Sequence, residues 1–137
     1  VTRRTAAVLR VARLQESAAR GAIGRALAAK AEAELTHATA VESLAATTLP
    51  TGSALEVGVA HDAQARRAQT ATETAGAVEA AQAEVTGALA RWQAMRQRRQ
   101  LVAELDARQR ALEILDAERA QQRFVDDLNA ARFRAGA

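Results

Sequence analysis

Cysteine is absent from this chain, tyrosine is absent too, and proline occurs once, as Pro50. Without cysteine there is no disulfide framework and no thiolate metal site, and the composition suits a reducing compartment. The only large rings belong to Trp92, Phe124 and Phe133. A globular core built from 137 residues normally uses many more such rings to fill its interior. No run approaches the roughly 18 uncharged apolar residues of a membrane span. The opening Val1-Thr2-Arg3-Arg4-Thr5 is basic but leads into charged sequence rather than an apolar h-region, so it does not read as a secretory signal. Neither G-x-x-x-x-G-K-S/T nor G-x-G-x-x-G is present, which excludes those two ways of binding nucleotide phosphates.

What is present is alanine. Hydrophobic residues make up 49% of the chain and aromatics 2%, so the apolar fraction is small side chains that favour helix and bury little area each. Such residues suit two helices packed closely along their lengths and do not suit a many-layered core. The charges fall in blocks. Residues 1–30 carry seven basic and one acidic side chain, residues 31–90 two and eight, and residues 91–137 ten and seven. Both ends are therefore basic and the middle acidic.

The one strong punctuation is Thr47-Thr48-Leu49-Pro50-Thr51-Gly52-Ser53, which should end any helix before it. Ser53-Ala54-Leu55-Glu56 then matches the S-x-x-E capping box that opens a helix. The expectation is an all-α fold, a single domain over residues 1–137, with two long helices forming an antiparallel coiled-coil hairpin. Helix one is expected over about residues 4–48, the turn over 49–53 and helix two over about 54–134. Gly58, Gly76 and Gly87 each cost about 1 kcal/mol inside a helix, so residues 57–87 are expected to fray or break into shorter helices.

Seam spacing supports paired helices. In helix one, Val11, Leu14, Ala18 and Gly21 keep three-four steps, and the stripe resumes as Gly24, Ala28, Ala31, Leu35, Ala38 and Ala45 after a one-residue stammer. In helix two, Val78, Ala81, Val85, Ala88, Trp92, Met95 and Val102 keep the same steps, broken by Arg99, and Ile114, Ala117, Phe124, Leu128, Ala131 and Ala135 form another run with Gln121 inside it. Leu14, Leu35, Val85 and Trp92 are expected to bury the most area. A hairpin tight at Pro50 leaves residues 100–134 without an intramolecular partner. Alternatively residues 54–85 form a loose connector and the C-terminal half pairs with helix one; the sequence leaves both open.

The residues that carry chemistry elsewhere are thinly spread here. His37 and His61 lie on either side of the turn, without a carboxylate cluster at metal-ligand spacing, and read as exposed helix residues. Asp126 and Asp127 point about 100° apart on a helix and cannot share a substrate. Arg91, Arg96, Arg98 and Arg99 surround Trp92, but Glu104, Asp106, Glu113, Asp116 and Glu118 follow, so no continuous cationic stripe forms for nucleic acid. A membrane-surface helix is disfavoured because the apolar faces are thin. The expectation is a protein-binding, non-enzymatic chain without catalytic residues, cofactor, metal, nucleic acid or small-molecule substrate, and a generic coiled-coil adaptor or scaffold stands as the alternative to any more specific role.

Four segments, in order, resemble the flagellar FliJ family, the stalk-like component of the type III export apparatus. Thr5 to Glu16, with Leu9, Leu14 and Glu16, looks like the family's opening helix, and Ala31-Glu32-Ala33-Glu34-Leu35 looks like its A-E-x-Q-L segment. Arg91-Trp92-Gln93-Ala94-Met95-Arg96-Gln97-Arg98-Arg99-Gln100-Leu101 is similar to its W-x-x-x-x-x-R-x-x segment, and Gln122 to Leu128 to its closing Q-x-x-x-D-E-F. The resemblance spans nearly the whole chain. It implies a coiled coil like the central stalk of rotary ATPases, inserted in the export ATPase hexamer, touching the membrane-embedded export-gate protein and binding export chaperones. The implied location is the cytoplasm, at the cytoplasmic face of the membrane at the flagellar base. With the charge layout, it points to Arg10, Val11, Arg13, Leu14, Phe124 and Leu128 for ring contact. It points to Glu34, Ala38, Val41 and Ala45 for gate contact. The chain departs from the family in having small residues at Ala38, Val41 and Ala45, and His61, Asp62 and Arg66 where an apolar patch is usual.

Overall fold

The computed structural model describes residues 2–48 and 50–136. Helix α1 spans Thr2–Ala45 and helix α2 spans Ala54–Ala135. The two long helices pack against each other in an all-α antiparallel hairpin, with no strand among the described residues. The expected hairpin is thus present, with boundaries shifted by up to three residues. Helix α1 stops early because Thr47 N–H bonds the Leu44 carbonyl, a tightened last turn, before the β-branched pair and Pro50. Leu49, the first residue of the expected turn, lies outside the described residues.

The capping box forms as read. Ser53 N–H donates to Glu56 Oε2 at 2.7 Å, and Glu56 N–H donates back to Ser53 Oγ at 3.4 Å. The Ser53 backbone N–H, then its hydroxyl, hold the Glu56 carboxyl below its ordinary range. A Cβ at Gly52 would collide with that carboxylate, so glycine leaves room for the cap. The expected breaks at Gly58, Gly76 and Gly87 do not occur: α2 is continuous. Nearby seam residues Ala60, Ala75, Val78 and Ala88 pack inward and offset the glycine cost.

The seam of α1 is a different stripe from the expected one. It runs through Thr5, Leu9, Ala12, Glu16, Ala19, Ile23, Ala26, Lys30, Ala33, His37, Ala40 and Leu44, every step three or four, with Ala6 and Ala22 half-buried beside it and Thr47 half-buried just past the helix end. Val11, Leu14, Ala18, Gly21, Gly24, Ala28, Ala31, Leu35, Ala38 and Ala45 are all exposed. Leu14 and Leu35 are 65% and 70% exposed, which overturns their expected burial. Both stripes share one period. The inner one contains Glu16, Lys30 and His37, so it reads as the more polar of the two. On α2 the expected seam from Val78 to Val102 is correct, and Arg99 belongs to it rather than breaking it, whereas the second expected run, Ile114 to Ala135, is exposed because α1 does not reach it.

Two compact units divide the hairpin, Val1–Glu16 with Met95–Ala137, and Ser17–Ala94. In the first, Leu9 and Ala12 are buried, and polar pairs join the helices: Thr5 Oγ1 donates to Asp106 Oδ1 at 2.8 Å, and Glu16 forms an ion pair with Arg99. Asp106 is only 3% exposed and also takes Arg110 at 2.6 Å. In the second, Val85 and Ala88 are buried, His37 Nδ1 meets Thr74 Oγ1 at 3.0 Å, and Arg67 donates to Thr47 Oγ1 at 2.7 Å. His37 is therefore a seam residue, not the exposed one expected, whereas His61 is exposed.

Candidate functional site

The pairs Thr5–Asp106 and His37–Thr74 each straddle a midpoint near residue 56, not residue 50. Residues 50–59, which include the first turns of α2, are all exposed, which moves the register along α2 and shortens the expected overhang. In the first unit, inward-facing residues extend to Glu113, and every described residue from Ile114 onward is exposed. The unpaired segment therefore begins near residue 114 rather than 100. The alternative of a loose connector over residues 54–85 is also excluded, because those residues are helical.

That segment carries Ile114, Leu115, Phe124, Val125, Leu128 and Phe133, all exposed. Just before it, Leu101, Leu105 and Leu112 are exposed on the side of α2 turned away from α1, spaced four and seven apart, and Leu115 extends their stripe. Apolar surface held in water along a helix is the usual mark of a protein-binding face.

The residues expected to meet an ATPase ring fall in two sets, both in the first unit. Arg10, Val11, Arg13 and Leu14 are exposed on the outer face of α1, and Phe124 and Leu128 are exposed on the unpaired segment of α2. The register puts Val11 level with about residue 100, so Phe124 lies roughly 35 Å farther along the helix axis. The two sets form separate exposed patches. Glu34, Ala38, Val41 and Ala45 share one exposed face of α1 in the second unit, and Glu34 is ion-paired with Lys30 at 3.4 Å.

Next to that face lies an open groove of about 470 Å³ lined by Leu35, Thr36, Thr39, Ala40, Ser43, Thr70 and Thr74. Thr36, Thr39, Thr70 and Thr74 each donate to a carbonyl four residues back in their own helix. Their hydroxyls are spent on the backbone, which leaves methyl groups for the groove. A second groove of about 490 Å³ runs between Arg20, Ile23, Gly24, Leu27, Leu89 and Trp92, and is open at Gly24, where a Cβ would meet nothing within 4 Å. Neither groove was anticipated. The threonines at three- and four-residue spacing were a signal for the first, and Gly24 beside Ile23 and Leu27 for the second.

Among the described residues, no three His, Asp or Glu side chains gather where a metal would need them. Asp126 and Asp127 are exposed, and Asp126 accepts from Gln122 Nε2 at 3.0 Å. No helix among the described residues is long and apolar enough to cross a membrane. Comparisons of the chain with protein-family models, with curated proteins and with solved structures yield no match.

Proposed function

We propose that this chain is a non-enzymatic, stalk-like component of a flagellar type III export apparatus. It would dock in the export ATPase hexamer and link it to the export gate and to export chaperones at the cytoplasmic face of the membrane. The observation that carries this reading is the unequal hairpin: α2 outruns α1 by more than twenty residues, and the surplus exposes Phe124 and Leu128. A two-helix hairpin about 20 Å wide is thin enough to enter a hexameric ring. The ordered resemblance of four segments to the FliJ family adds the identity of the ring.

Charge supports the same end as the ring-binding one. The unit containing α1's start and α2's overhang carries thirteen basic and eight acidic side chains, and the other unit six and eight. A basic surface steers encounter with an acidic partner, while Val11, Leu14, Phe124 and Leu128 supply contact area. Reversing Arg10 and Arg13 together should slow association with the purified export ATPase, less so at high salt. Reversing Glu32 and Glu34 should leave that step unchanged. Surface plasmon resonance at two ionic strengths decides; sensitivity to the glutamates but not the arginines would place ring contact in the other unit.

A further inference from the structure

The face of α2 that packs on α1 does not stop where α1 does. Past Glu113 the three-four spacing continues through Ala117, Ala120, Phe124, Leu128 and Ala131, and all of these are exposed. Phe124 is 64% exposed and Leu128 44%. The established helix–helix interface thus has a continuation with the same period and no cover. A continuation of this kind calls for another helix running antiparallel to α2, as α1 does.

Charge order within the segment says which helix. Asp116 and Glu118 lie early, Arg132 and Arg134 late, and Arg123 and Asp127 flank the centre. Read against its own reverse, this order is complementary. We propose that a second copy of this chain covers the face, the two segments pairing antiparallel about a two-fold axis near residue 125. In that register Phe124 of each copy packs against Leu128 of the other, with Ala120 opposite Ala131. Asp116 then lies level with Arg134 of the second copy, Glu118 with its Arg132, and Arg123 with its Asp127. No like charges meet, and the alanine layers on both sides of the phenylalanines let the axes approach. The contact is isologous, so it closes at two copies. It goes beyond the stalk reading and does not depend on it. Both draw on Phe124 and Leu128, so a second copy and an ATPase ring compete for this face and the ring takes the monomer.

Sedimentation equilibrium of the full chain tests this. The parent should be a dimer in concentration-dependent equilibrium with monomer. D116R/E118R should be monomeric alone, because it sets arginines opposite arginines, and R132E/R134E should be monomeric for the converse reason. Mixed in equal amounts, the two variants should form a heterodimer, since every pair is then opposite in sign. This restoration separates lost pairing from lost folding. Phe124→Ala should weaken dimerisation by roughly tenfold or more. A parent that stays monomeric at every accessible concentration overturns the proposal, whatever other protein its α2 segment binds. So does a dimer that both charge variants keep, or a mixture of the two that does not associate.

Discussion

Glu16 and Arg99 sit at seam positions, where a two-helix interface ordinarily holds apolar groups, and their side chains are only 20% and 32% exposed. Partly desolvated charges depend on each other, because removing one leaves the other unpaired. Glu16→Ala should therefore cost about 2 kcal/mol in urea denaturation. Glu84→Ala, which removes the exposed partner of Arg91, should cost no more than about 0.5 kcal/mol. Replacing Glu16 and Arg99 by leucine together should recover most of the loss. Glu56 adds a pH dependence of defined sign. Its folded-state pKa is lowered, so its contribution is present above the unfolded-state value and is lost as the pH falls through the folded-state value. Glu56→Gln should flatten the acid limb of the stability profile. The capping box was legible because its partners are three residues apart. The Glu16–Arg99 pair was not, because it depends on a register that spans most of the chain.

At the scale of the helices, the two seams were unequally legible. Val78, Val85, Trp92 and Met95 mark the inner face of α2 by size, and that seam was read correctly. On α1, alanine occupies every face, and the larger residues Val11, Leu14 and Leu35 lie outside while Glu16, Lys30 and His37 lie within. Only cross-helix pairing distinguishes two stripes with one period, and pairing is a property of both helices. The consequence is measurable by thermal denaturation followed by circular dichroism. Trp92→Ala should cost about 2 kcal/mol, because its ring is half-buried in the seam. Leu14→Ala and Leu35→Ala should each stay within about 0.5 kcal/mol of the parent. If the leucine variants melt early and the tryptophan variant does not, the outer stripe is the true interface.

For the whole chain, fold and function rest on different footings. The all-α hairpin followed from one proline, one capping box and the alanine content, and the structure has it. The overhang was foreseen but misplaced, since the register depends on how many residues near the turn stay unpaired. The residues expected to make contacts are exposed, and exposure alone does not name what covers them. The stalk reading says that an export ATPase covers the outer face of α1 near its start and the overhang of α2. A photo-crosslinking residue placed at Leu14, Leu128 or Val59, each exposed, tests this with purified export ATPase hexamer. We expect covalent ATPase adducts from the Leu14 and Leu128 positions and none from Val59, which lies near the turn. Adducts from Val59 alone, or from none of the three, would contradict the stalk reading.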